Sequence, residues 1–231
     1  MGAHQRIEAD PLFAGFYSTS DAARLLNIPG GKARAWLNGW ASSSSSAVID
    51  RDFPSTPTVS FLDLMELRFI EFFRRQNVSM QTLRLSAAKA RRDWDSKHPF
   101  ALSKAQYLTD RRNIFAQVAE AEGDESTWNL ATGQIEMWEM IEGAIAKGVI
   151  FDAVSNLATM WKPRETDFPG VVLDPKRAFG RPIVVDAGVP TLAIFRQWKA
   201  ERGDKARVAK WFDVSEIEVA EAVEFEITYS S

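Results

Sequence analysis

From Phe61 onward the apolar residues Leu64, Leu67, Ile70 and Phe73 recur at three-residue steps, while Arg68, Arg74 and Arg75 lie mostly off that face. This spacing predicts an amphipathic helix to about Gln76. Asn77 suits the break, and Ser79 can cap a second helix running to about Trp94. Upstream, Ser18 and Asp21 stand three residues apart in the manner of a capping box, and Ala22, Leu25 and Leu26 fall on one helical face. Asn27 can take a left-handed turn. After Pro29 a further helix is expected through Lys32–Asn38, stopped by Gly39. Two short helices and a tight turn make a helix-turn-helix candidate.

The pattern changes after Lys104. Tyr107-Leu108-Thr109, Ile114-Phe115-Ala116 and Trp128-Asn129-Leu130 are short apolar runs broken by Asp110–Asn113 and Gly123–Glu125, which predicts a small sheet. A helix resumes over 135–146, with Met137, Trp138, Met140 and Ile141 at helical spacing and Gly148 as its end; 157–161 reads as a strand. From Pro169 the order is strand (171–173), turn at Asp174-Pro175, strand (183–185) and three helices. The first begins after Gly188-Val189-Pro190-Thr191, the second at Asp204, and the third under a Ser215/Glu218 capping box.

Composition narrows the function. With 45% apolar residues the 231-residue chain can build a core, and it has no apolar run of the roughly 18 residues a membrane span needs. No cysteine is present, so there is no disulfide framework, thiol nucleophile or Cys-ligated zinc. Residues 1–13 lack the basic-then-apolar build of a leader, and a cytoplasmic site is expected. Catalysis finds little support. His4 and His98 are isolated, the HExxH, GxSxG and Walker patterns are absent, and Asp93 and Asp95 read as surface charge. No enzyme activity, metal site or cofactor is expected. The net charge of −3 conceals a polarity, because residues 1–120 carry net +4 and residues 121–231 net −7. Separate partners, a polyanion for one half and a basic protein for the other, would suit it, as would ordinary solvated faces.

Residues 17–88 resemble the DNA-binding domain of MerR-type winged helix-turn-helix regulators. Tyr17-Ser18, Ala23, Asn27-Ile28 and Arg34-x-Trp36 match that family's first helices. Asp63-Leu64, Leu67, Ile70 and Asn77-Val78-Ser79-Met80 match its second pair, with Asn77 in the glycine place. The resemblance implies operator DNA as a partner, read as a pseudo-palindrome by a homodimer, with Ser18, Arg24, Lys32, Arg34, Asn38 and Arg51 as candidate contacts. Lys32, Arg34 and Asn38 would lie in or beside the major groove, and Arg24 and Arg51 on the backbone. Trp36 is read as core. The wing departs from the family's pattern, with Ser42–Ser46 and Asp50-Arg51-Asp52 where arginines are usual. Gly30-Gly31 opens the recognition helix.

Residues 169–226 resemble a family of small trihelical domains found at the C-terminal end of bacterial antitoxins, on Val171-x-x-Asp174-Pro175, Gly180-Arg181-Pro182-Ile183, Gly188-x-Pro190 and Val208–Ser215. The combination looks like the larger VapB-type antitoxins paired with PIN-like ribonuclease toxins. The expected architecture is mainly α with small β elements. It comprises a winged helix-turn-helix unit (1–95), a small α/β middle segment (96–168) and a trihelical, homeodomain-like unit (169–231). The implied function is toxin neutralisation through the region from Pro169 to Ser231, with autorepression through DNA binding. From Asp213 onward Glu216, Glu218, Glu221, Glu224 and Glu226 are unrelieved by any Lys or Arg. The alternatives are a regulator whose Met/Trp-rich middle segment binds a small hydrophobic effector, and an interaction module without DNA binding.

Overall fold

The computed structural model describes residues 14–39, 46–133 and 135–230. His4, the wing residues 42–45 and Ser231, the last residue of the expected toxin-binding region, lie outside the described residues. The chain is mainly helical, 57% helix against 10% strand, with ten α-helices and two small sheets among the described residues. No described helix is long and apolar enough to cross a membrane.

The N-terminal elements follow their local signals. β1 (Tyr17–Ser18) leads into α1 (Thr19–Leu25), whose first turn is closed by the reciprocal Ser18–Asp21 capping box. Asn27 takes the left-handed conformation, φ 52°, and α2 (Gly30–Asn38) follows. β2 (Thr58–Val59) pairs antiparallel with β1, setting Tyr17 against Val59. A second capping box, Ser60 with Asp63, starts α3 (Phe61–Arg75), and Asn77 turns the chain, φ 63°, into α4 (Met80–Trp94) under Ser79. Leu64, Leu67, Ile70 and Phe73 are all fully buried, as their spacing requires, and Trp36 is core.

The middle segment corrects one expectation. Residues 104–132 form no strand: after a 3-10 turn at Pro99–Ala101 they make α5 (Lys104–Glu122) and α6 (Glu125–Thr132). The buried positions 111, 114, 115, 118 and 119 recur at helical, not alternating, intervals. Arg111, which reads as part of a polar break, is 2% exposed and pairs with Glu142 at 2.5 Å. The break between the two helices lies at Gly123, φ 67°, beside the N-cap Asp124. α7 (Ile135–Ala146) ends before Gly148, φ 71°, as its pattern predicts. Trp138 is fully buried, and Met140 is exposed.

β3 (Val149–Phe151), β4 (Ala158–Trp161), β5 (Val171–Leu173) and β6 (Pro182–Val184) form one antiparallel sheet in sequence order, with β4 joined to β5 at Trp161↔Leu173. The sheet therefore runs across residues 168 and 169. α8 (Thr191–Ala200), α9 (Lys205–Phe212) and α10 (Glu216–Ser230) follow, and Ser215 and Glu218 exchange the expected capping bonds. One large core runs from Tyr17 and Trp36 through Phe73, Phe115 and Trp138 to Trp161, Leu173 and Phe225, and a smaller one lies among Ile194, Val208, Val219 and Val223. The cavity at the middle segment, between Arg68, Arg111, Glu142 and Phe151, measures about 20 Å³. That is room for one water, too little for a hydrophobic effector.

Candidate nucleic-acid interface

An open groove of about 550 Å³ runs between the start of α1, the outer face of α2 and the loop 51–57. Thr19, Ser20, Gly30, Arg34, Asn38 and Arg51 line it together with Pro54–Pro57. The geometry follows from α2's one-sided burial. Ala33, Trp36 and Leu37 face the core, leaving Lys32, Arg34 and Asn38 exposed on the solvent side. A Cβ built at Gly30 or Gly31 would meet nothing within 4 Å, so the first turn of α2 presents bare backbone that a phosphate could approach.

The structure separates the six sequence-predicted residues by role. Lys32 and Arg34 are exposed cations. Arg24 is half exposed and holds Asp21 at 3.0 Å. Ser18 caps α1: its Oγ accepts the Asp21 amide at 3.0 Å and donates to the Asp21 carboxylate at 2.7 Å. Arg51 is 7% exposed and acts inward. It donates to Asn38 Oδ1 at 2.7 Å and to the carbonyls of Thr56 at 2.7 Å and Thr58 at 2.6 Å. This arginine therefore clamps the loop to α2 and orients Asn38, whose Nδ2 amide is left as the donor toward the groove. The resemblance implies Arg51 as a DNA-backbone contact; in the fold its guanidinium is buried and bonded to Asn38, Thr56 and Thr58.

Beneath the loop lies a network that motif spacing could not find, because its members come from positions 52, 60, 63, 66, 91, 97 and 98. His98, 4% exposed, sets Nε2 3.0 Å from Asp52 Oδ1 and Nδ1 4.0 Å from Asp63 and 3.9 Å from Glu66. Ser60 Oγ donates to Asp52 at 2.6 Å, Lys97 lies 3.2 Å from the same carboxylate, and Arg91 reaches Glu66 at 3.4 Å. Burial disfavours charge on His98, but the bond to Asp52 and the fields of Glu66, Asp52 and Asp63 raise its pKa above the ordinary imidazole value. Burial opposes ionisation of Asp52 too, yet the His98 bond holds its carboxyl well below the usual range; burial prevails at Asp63 and Glu66, which are raised. Asp52, Asp63 and His98 offer ligand atoms within 4.8 Å of one another, the spacing of an ion site. Lys97, Arg91 and the His98 imidazole face the carboxylates of Asp52, Asp63 and Glu66.

The acidic C-terminal end is less available than its sequence implies. Glu226 is buried on Thr191 at 2.5 Å, Glu221 accepts the Gly170 amide at 2.7 Å and Glu218 caps α10. Asp213, Glu216 and Glu224 remain exposed. Of the expected toxin-binding region, Pro169 to Ser231, these three carboxylates are the part of the acidic end that a basic partner could reach, within the described residues up to Ser230.

No family model matches the chain. It is 28% identical over 193 residues to a Mycobacterium tuberculosis protein named "Putative antitoxin VapB45", covering 75% of this chain and 78% of that one. It is 24% identical over 181 residues to the uncharacterized protein Rv2308 of the same organism, covering 77% and 76%. In fold it is similar to the crystal structure of Rv2018, also from M. tuberculosis, with a TM-score of 0.67, 23% identity, and 92% and 97% of the two chains covered.

Proposed function

We propose that this protein is an antitoxin of a toxin–antitoxin pair, which neutralises a cognate PIN-like ribonuclease toxin through residues 169–231 and represses its own operon through the groove at α2. The observation that carries the reading is the similarity to the VapB45 relative along three quarters of both chains. It supports an antitoxin as a whole protein, a regulatory part with no reaction of its own. The DNA-binding half rests on the exposed Lys32, Arg34 and Asn38 beside a groove with a bare helix start, chemistry suited to phosphates and base edges. A homodimer would read a pseudo-palindromic operator as two half-sites.

The test is a salt-controlled gel shift with a duplex from the protein's own promoter. Wild type should bind, and Arg34→Ala should weaken binding. If Arg34 meets a base edge, about 1–3 kcal/mol is lost and specificity relaxes; if it meets a phosphate, the salt dependence falls by about one unit. Equal affinity of wild type and Arg34→Ala would remove α2 from the interface. The effector-responsive alternative has no support in the 20 Å³ cavity of the middle segment.

A further inference from the structure

Three consecutive residues between β5 and β6 hold left-handed backbone: Ala178 at φ 48°, Phe179 at 57° and Gly180 at 80°. Only the last is a glycine, so the first two carry steric strain that the chain would shed if nothing held them. They are held from the N-terminal side. The Phe16 amide donates to the Phe179 carbonyl at 2.9 Å and the Tyr17 hydroxyl to the Gly180 carbonyl at 2.6 Å. The result is a Phe179 ring that is 60% exposed. It is the outer member of a row of three aromatics, 6.2 Å from Phe16, which stacks in turn on Phe53 at 5.6 Å. Phe53 precedes Pro54, a wall of the α2 groove. The row thus leads from the groove to the tip of the 174–181 turn in two ring-to-ring steps, about three to four base-pair rises along a duplex strand.

The turn carries Lys176, Arg177 and Arg181 against one carboxylate, the buried Asp174. Arg177 is turned inward onto the Val185 carbonyl at 2.7 Å. Lys176 and Arg181 are exposed; Asp152 lies within the field of Lys176, and among the described residues no ion pair engages Arg181.

We infer that the 174–181 turn is a second duplex-DNA contact, in which Arg181 and Lys176 meet phosphates flanking the α2 site and Phe179 packs on the adjacent sugar edge. The inference rests on the DNA-binding half of the proposed function and extends it into the C-terminal part of the chain. Charge selects this occupant. A cationic, aromatic tip continuous with the groove complements a polyanion, and it would repel the basic surface of a ribonuclease and an identical turn in a second copy.

The experiment is fluorescence anisotropy of the full chain on its promoter duplex across a salt series. Arg181→Gln should weaken binding and reduce the slope of log K against log salt by about 0.9, the loss of one phosphate contact. Phe179→Gly suits the left-handed backbone and so preserves the fold; it should weaken binding several-fold with the slope unchanged. A wild-type chain that does not bind the duplex would overturn both the DNA-binding reading and this inference. Binding by wild type with both variants equal to it in affinity and slope would overturn this inference alone. So would variants that keep full DNA affinity but lose toxin neutralisation or change oligomeric state, since the tip would then serve a protein partner.

Discussion

Replacing His98 by alanine removes the imidazole that three carboxylates share. Asp52 would retain Lys97 at 3.2 Å and the Ser60 hydroxyl, but the fully buried Asp63 and Glu66 would lose the group facing them at 4.0 and 3.9 Å. Removing one member of a buried ion pair costs about 3–5 kcal/mol. The lower end, about 3 kcal/mol, applies here because Arg91 stays on Glu66 and because the raised carboxyls can take up protons. In a chain of this length each kcal/mol corresponds to about 2–4 °C, so Tm should fall by about 6–12 °C. The pH dependence has a definite sign. His98 is raised above its ordinary 6.5, so its contribution is complete below about pH 6.5 and is lost as pH climbs through the raised folded value. Asp52, held low, contributes above its ordinary 3.8 and loses that contribution in acid. Urea denaturation followed by circular dichroism should show the full deficit at about pH 6 and a gap that narrows as pH climbs through the raised folded value. A variant within about 1 kcal/mol of wild type at pH 6, against the loss expected for a buried pair, would mean that His98 does not hold these carboxylates. So would a deficit that grows as pH rises from about 6.

Other substitutions separate position from contact. Arg51→Met should release Asn38 and the loop carbonyls, weakening promoter binding while leaving its salt slope unchanged, in contrast to a phosphate-contacting Arg34; anisotropy across a salt series reads the difference. Glu142→Gln leaves Arg111 as an uncompensated buried charge and should cost about 3–5 kcal/mol in chemical denaturation. The double variant Arg111→Met/Glu142→Leu should recover most of that loss. Tyr17→Phe leaves the Gly180 carbonyl without its donor and should destabilise by about 1–3 kcal/mol, read as a shifted urea midpoint with unchanged m-value.

Local signals are legible where one helix face meets the core. The 61–73 periodicity, the Ser18 and Ser79 caps, the left-handed Asn27 and the break at Asn77 are decided within a few residues, and each stands in the structure as those residues imply. α5 escapes such reading because Arg111 has the look of a surface break; its burial depends on Glu142, 31 residues away. The His98 network is hidden for the same reason, since a histidine beside Pro99 reveals nothing of Asp52 or Glu66 until α3 and the loop are folded against it. Burial also thins the acidic end, where Glu218, Glu221 and Glu226 bond internally. The sheet joins β4 to β5 across residue 168, so deleting the region from Pro169 to Ser231 would break it. Point substitutions in the full chain are therefore the sound test of toxin binding.

Toxin neutralisation by this chain is read without intermediates by co-expression with the adjacent open reading frame. The neighbour alone should arrest growth, this chain should restore it, and the two should purify as one complex. A neighbour that is harmless when expressed alone, or that stays toxic with this chain present, would contradict it.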